Sequence, residues 1–456
     1  MEKRDSFGTK LGIVLTTAGS AVGLSNIWRF PDMTIENGGA VFIVMYVFCV
    51  LLFGVPCMVS EFIIGRNGQS NTIKAFRKLG GKTPWTMIGY MGVLTGFLIT
   101  GYYAVVCGWC LQYFWTSLIG HLQGDQEYFK TYFHYMVSNP VKPVLWMSIV
   151  MSLSYLIVGH GIRDGIEKIS KLLMPILFIL LLTIVAVSCT LPDADKAIEF
   201  LFKPDLSKVT RDVFIAALEQ SFYSLSIAMG CLCTYASYFF GYANLPKSAT
   251  QIAVIDSLVA ILSGLMLFPA AISIGVKLDS GPSLLFITLP NVFQQAFASI
   301  PMLGYCLSLL FFALVSLAAL TSLISLHEVS TAFLSESQRI SRRKATLIVA
   351  IPTGIIGILC SLSMGAVDGL VIFGKSLFDW YGFFTSQLFL PMVGFLTSIF
   401  IGWFVPHTIV RQEFTNFGEL RSIGYIRLFH LYIFLIKYAC PLAILFILLD
   451  HFDLLK

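Results

Sequence analysis

About eleven apolar runs, most of them twenty residues or longer and joined by short polar links, leave this chain few folds to choose from. A helix of ~20 apolar residues crosses the ~30 Å hydrocarbon core of a bilayer, and within lipid the backbone must satisfy its own hydrogen bonds. The runs occupy roughly residues 10–33, 40–65, 86–119, 143–159, 166–190, 212–240, 248–275, 303–335, 345–361, 371–404 and 427–450. Their continuous apolar character lacks the alternation of a barrel strand and predicts helices. Composition agrees, with 57% hydrophobic and only 12% charged residues, against about a quarter charged in soluble domains. The expected fold class is an all-α polytopic membrane protein. Residues 1–456 are expected to form a single transmembrane domain, with inverted repeats over about 10–190 and 212–404 and a peripheral helix at 427–450. The first run is too long and too polar in its middle for a signal peptide, so the amino terminus is expected to be retained. Segments 193–208 and 281–299 are too short or too interrupted to span, and read as outer loops with helices of their own.

A net charge of +5 is spread over the links, not gathered in a patch. That argues against a nucleic-acid partner and reports orientation instead. Lys3, Arg4 and Lys10 precede the first span; Arg66, Lys74, Arg77, Lys78 and Lys82 follow the second; Arg339, Arg342, Arg343 and Lys344 form a third cluster. These segments are expected inside, which predicts a multi-pass cell-membrane protein with a cytoplasmic amino terminus and Lys456 outside. All ten cysteines lie in or beside apolar runs and are expected to be free thiols. Cys107-Gly108-Trp109-Cys110 sits within an apolar helix without a thioredoxin context, and reads as bland.

Three stretches break the apolar pattern. Gly19-Ser20-Ala21-Val22-Gly23-Leu24-Ser25-Asn26 lies inside the first span, with Arg29 and Pro31 just behind it. Small residues let backbone carbonyls approach a ligand, and a guanidinium at membrane depth costs ~2.5 kcal/mol or more unless it faces a partner or water. Alone, Gly19 and Gly23 would read as a helix-packing face. The sixth span, however, carries its own break from Gln220 to Gly230, five spans later, which is the pattern of an inverted repeat. The eighth adds Ala318-Ala319-Leu320-Thr321-Ser322. A lone Thr-Ser pair would bond back along its helix; beside two broken helices it reads as a set of oxygen ligands for a hard cation. No transition-metal cluster, nucleophile with base, or phosphate loop stands out, so an enzyme is not expected.

With these residues in view the chain resembles the neurotransmitter:sodium symporter family, in particular its bacterial amino-acid transporters with the leucine-transporter-like fold. The resemblance is carried by Ala21-Val22-Gly23-Leu24-Ser25-Asn26-Ile27-Trp28-Arg29-Phe30-Pro31 with Glu36-Asn37-Gly38-Gly39, then by Gly101-Tyr102-Tyr103 and the Gln220 to Gly230 stretch. Thr234-Tyr235-Ala236-Ser237-Tyr238, Gly281-Pro282-Ser283-Leu284-Leu285-Phe286 and Thr321-Ser322 extend it over nearly the whole chain.

The resemblance implies two sodium sites. The first would use the Ala21 carbonyl, Asn26, Ser224 and the Asp256 region, closed by the substrate's own carboxylate; whether Asp256 ligates directly stays open. The second would use carbonyls of Gly19, Val22 and Ala318 with the hydroxyls of Thr321 and Ser322. Around the substrate the resemblance implies Ser20, Ala21, Ser25, Ile99, Tyr103, Tyr223, Ser224, Ser226, Met229, Ser322 and Leu326, with the Tyr103 hydroxyl donating to the substrate carboxylate. Gly23 stands where monoamine carriers place an aspartate, which favours an amino acid as substrate. Arg29 and Asp379 match the outer gate pair. Arg4, Ser237, Tyr238 and Glu336 match the inner latch, Glu336 replacing the usual aspartate. Ser25 replaces a usual glycine and bears on substrate size. A fixed acid at Asp256 would take the place of the chloride that animal relatives bind, so chloride is not expected to be required.

The function implied is sodium-coupled import of an apolar or aromatic L-amino acid by alternating access, with two sodium ions, the lipid bilayer as surroundings and no nucleic acid. The alternative is a non-transporting amino-acid sensor on the same fold. Neither the preferred amino acid, the ion stoichiometry nor the oligomeric state follows from these residues.

Overall fold

The computed structural model describes residues 5–274, 281–420 and 422–452. The spans are Lys10–Ala21 with Ser25–Glu36, Ala40–Gly68, Thr86–Leu118, Lys142–Gly159, Ile162–Ser188, Arg211–Ser224 with Cys231–Ala236, Leu245–Ile274, Pro301–Gln338, Arg342–Leu362, Leu377–Phe404 and Ile423–His451. The fold is an all-α polytopic membrane architecture. Spans 3 and 8 run along one another at its centre. The most apolar stretch of span 3 is 78% buried, against 33% for spans 4 and 5, which present their remaining surface to lipid.

Prolines shape several of these helices. Phe30, Val55, Leu289, Leu390 and Cys440 each immediately precede a proline, and each donates its amide to the carbonyl five residues back instead of four. Proline has no N–H and its ring crowds the carbonyl four residues earlier, so the preceding turn widens into a π turn.

Spans 1 and 6 are interrupted. The two halves of span 1 meet at 56° across residues 22–24. In span 6 the break covers residues 225–230, where Ser226 (φ 53°), Ala228 (φ 70°) and Gly230 (φ 76°) all take the left-handed conformation. For Ser226 and Ala228 that conformation is unfavourable, and the surroundings must hold it. Glu61 on span 2 does so by accepting from the Ala228 amide at 2.6 Å, and the Ser226 hydroxyl donates to the Ser20 carbonyl at 3.0 Å. The two breaks are thereby tied together.

Segment 193–208, expected to lie outside, forms helix Ala194–Phe202, and the stretch after Gly281 folds through Leu284–Thr288 into Leu289–Ala296. Two differences from expectation have local causes. The link between the third and fourth spans, one of the links expected to be short and polar, contains a helix, Gln126–Val137, started by Asp125 accepting from the Tyr128 amide. The tenth span begins at Leu377, not 371, because Val371–Ile372 pairs with Lys375–Ser376 in a hairpin. Phe373 and Gly374 at its tip both have positive φ, the requirement of a type I′ turn.

Candidate functional site

The broken limbs enclose a cavity of about 330 Å³ against spans 3, 8 and 10. Ser20, Ala21, Ser25, Ile99, Tyr103, Tyr223, Ser226, Met229, Ser322 and Leu326 all line it. Ser224 does not. Its hydroxyl turns away to donate to Asp256 Oδ2 at 2.6 Å, so its place is in the polar cluster beside the cavity. Tyr102 and Val106 join Ile99 and Tyr103 as one stripe of span 3. Their i, i+3, i+4, i+7 spacing was the available signal for the two residues not anticipated. Trp28, Phe378, Ser386 and Cys231 also line the cavity. The walls are largely aromatic and aliphatic with few polar groups, as small-molecule sites generally are.

Asp256 is fully buried beside this cavity. Asn26 Nδ2 donates to its Oδ1 at 2.7 Å and to its backbone carbonyl at 3.1 Å, and Tyr46 donates to Oδ2 at 3.2 Å. Asn26 Nδ2 also lies 3.0 Å from Ser224 Oγ, while its Oδ1 accepts from the Gly23 amide at 3.0 Å and from the Ser25 hydroxyl at 3.1 Å. The cluster thus joins spans 1, 2, 6 and 7. Among the described residues no lysine, arginine or histidine pairs with Asp256. A buried carboxylate without a counter-cation is costly, and the carboxylate and hydroxyl oxygens gathered here, with the Asn26 Oδ1 on the span 1 side, fit a hard monovalent cation.

A second set of oxygens joins span 1 to span 8. The Ser322 hydroxyl lies 3.3 Å from the Val22 carbonyl and 3.4 Å from that of Ser20, and Thr321 donates to the Ala318 carbonyl at 3.0 Å. Close approach requires glycine at 23, where a Cβ would sit 2.5 Å from Ser322 Oγ; a Cβ on Gly19 would make an ordinary contact with the Thr321 Cβ at 3.6 Å and crowd Met174 Sδ at 3.2 Å. Val22, Ala318, Thr321 and Ser322 therefore meet, with Gly19 packed beside Thr321 and the Ser20 carbonyl drawn in.

The gate residues are arranged differently from expectation. Arg29 pairs with Glu219, not with Asp379. Glu219 stands on the adjoining limb of span 6, whereas the Asp379 carboxylate forms a capping box with Ser376 at the start of span 10. Of the residues expected to form the inner latch, Arg4 lies outside the described residues. The Ser237 hydroxyl donates to the Thr234 carbonyl. Tyr238 donates to Glu328 at 2.8 Å, Arg342 pairs with the same carboxylate, and Glu336 accepts from the Asn71 amide at 2.7 Å. Phe7, 1% exposed, packs edge-on against Tyr235 and Tyr238 in the same region. Glu61, Tyr46 and Glu328 were not anticipated, although acids inside the second and eighth apolar runs are visible signals.

The family model described as "Sodium:neurotransmitter symporter family" matches residues 4–127 and 123–454. The chain belongs to this family. It is 34% identical to the uncharacterized sodium-dependent transporter YhdH of Bacillus subtilis, over all of this chain and 99% of that protein. It is 32% identical to an uncharacterized sodium-dependent transporter of Haemophilus influenzae, covering 99% of this chain and 98% of the relative. Among solved structures, MhsT in complex with L-phenylalanine superimposes with a TM-score of 0.88 at 37% identity, covering 98% of this chain and 100% of that one.

Proposed function

We propose that this symporter imports an apolar or aromatic L-amino acid together with two sodium ions, by alternating access and without chloride. The observation that carries the reading is the Asp256 cluster: a buried carboxylate with no counter-cation among the described residues, shared by both broken helices, beside a cavity of amino-acid size. Sodium bound at Asp256, Asn26 and Ser224 offsets that charge, and a substrate carboxylate brought to the same ion by the Tyr103 hydroxyl makes the two binding events mutually dependent. A second sodium between the span 1 break and Thr321 and Ser322 favours the state in which those spans are clamped. The fixed charge of Asp256 takes the role of an anion.

The phenylalanine bound to MhsT supports an aromatic or large apolar side chain against Ile99, Val106, Met229 and Leu326. The driving force is adequate, since each sodium contributes ~2.3 kcal/mol per 100 mV and ~1.4 kcal/mol per tenfold gradient. The amino terminus lies in the cytoplasm on the distribution of Lys and Arg.

Uptake of labelled phenylalanine into proteoliposomes tests the reading, with an inward sodium gradient and gluconate in place of chloride. Accumulation that needs sodium and persists in gluconate is expected. Binding without counterflow would instead identify a sensor.

A further inference from the structure

We propose that Glu219 is a positioning residue of the outer gate: it offers Arg29 a second carboxylate, on the wall that Arg29 already touches, and so holds the cavity mouth open until Arg29 transfers to Asp379. The inference rests on the transport reading, from which Asp379 is taken as the closing partner.

Arg29 Nη2 lies 2.5 Å from Glu219 Oε1, Nη1 donates to Gln220 Oε1 at 3.2 Å, and the guanidinium sits 4.7 Å from the centre of the Tyr223 ring. All three partners belong to the Arg211–Ser224 limb. The Arg29 and Glu219 side chains remain 26% and 25% exposed, so this ion pair is open to exchange, unlike one sealed in a core. On the facing wall Phe378 and Gly382 line the same cavity, and the exposed Asp379 between them has its Oδ2 engaged by Ser376. The guanidinium fork is thus split between Glu219 and Gln220 on its own wall, with a second carboxylate on the facing wall, and a close ion pair commits it to one carboxylate at a time.

Glu219 is held in turn from behind. Its Oε2 is 3.7 Å from His451 Nε2, and His451 Nδ1 is 3.1 Å from the Gln387 carbonyl of span 10. Arg211 and Asp450 pair at 3.0 Å on the same side. The eleventh span, expected to be peripheral, therefore braces the gate. Neutralising Glu219 leaves Arg29 with uncharged partners on the span 6 limb, and with Asp32 of its own span, which lines the same cavity, as the remaining carboxylate against the pull of Asp379; the population then shifts toward the closed mouth.

The test is accessibility. Gly382→Cys, where an added Cβ meets nothing within 4 Å, reports on the cavity once the exposed Cys189 and the partly exposed Cys306 are replaced by serine and the cavity-lining Cys231 by alanine. Labelling by an impermeant methanethiosulfonate is followed in proteoliposomes with sodium and no amino acid. Glu219→Gln is expected to slow labelling by about fivefold or more. Glu219→Asp should stay near the parent rate, and Glu219→Gln with Asp379→Asn should return to it. Unchanged or faster labelling of Glu219→Gln, or slowing that persists in the double variant, overturns the proposal. Should Glu219→Gln fail to fold, Asp379→Asn alone decides: labelling at or above the parent rate supports the two-position gate, and slower labelling overturns it. Uptake by the unaltered protein is measured alongside, and its absence would sink the transport reading while leaving the labelling ratios interpretable.

Discussion

Asn26 and Asp256, 230 residues apart in sequence, meet in the interior through two hydrogen bonds from one amide nitrogen, at 2.7 Å to the carboxylate and 3.1 Å to the backbone carbonyl. The pairing aims a buried negative charge at the first broken helix, and that charge lacks a basic partner among the described residues. Asp256→Ser is expected to lower sodium affinity ~10-fold or more, equivalent to ~1.4 kcal/mol, in sodium titrations of uptake. Chloride, but not gluconate, should restore part of the loss, because a small anion a few Å from sodium supplies the missing charge. Uptake by the unaltered protein that collapses without chloride would remove Asp256 from this role.

Gly23 and Ser322 share one point of close approach, where a methyl on Gly23 would reach within 2.5 Å of the serine hydroxyl. The hydroxyl can rotate away, but doing so abandons the Val22 and Ser20 carbonyls. Gly23→Ala should therefore cost at most ~1–3 kcal/mol of stability, in the range of overpacking, while weakening sodium dependence as strongly as Ser322→Ala. The double variant should be no worse than either single one, since both act on the same contact. Additive losses of sodium affinity would show that the two residues act separately.

Glu61 holds the left-handed turn of span 6 through the Ala228 amide. Glu61→Ala orphans a buried N–H and is expected to lower stability by ~1–3 kcal/mol. Glu61→Gln keeps an acceptor and should fold. Melting curves in detergent, compared with uptake per folded protein, check this. Equal melting of the alanine variant and the parent would mean that the break holds its shape without Glu61.

The breaks in spans 1 and 6 were legible because small and polar residues interrupt otherwise apolar runs, and backbone freed from a helix inside a membrane needs a cavity to face. The partner of Arg29 was not legible. Glu219 adjoins Gln220 in sequence, and only the packing of the two limbs sets its carboxylate, ahead of Asp379, against the guanidinium. Val371-Ile372-Phe373 read as the start of a span because apolar content alone does not separate a short hairpin from a helix end; Gly374 was the residue that marked the turn. Tyr102 and Val106 belong to the same helical stripe as Ile99 and Tyr103, and extending the period by one turn would have found them.

Met229 lines the cavity from within the span 6 break, and its backbone carbonyl lies where a Cβ on Gly96 would approach to 2.9 Å. Span 3 therefore fixes the Met229 backbone, and only the flexible thioether can adapt to different substrates. That predicts broad apolar selectivity in the unaltered protein. Met229→Phe replaces an adaptable side chain with a rigid ring inside a cavity of about 330 Å³, and the largest substrates must lose most. In competition against labelled leucine, the apparent affinity for tryptophan should fall ~10-fold or more, a change of ~1.4 kcal/mol, while that for valine changes by less than about twofold. Sodium dependence should be untouched, because the Met229 side chain carries no oxygen and adds none to the Asp256 or Ser322 sets. If the ranking of competitors is the same in both proteins, Met229 does not set substrate size, and the aliphatic stripe of Ile99 and Val106 must do so instead.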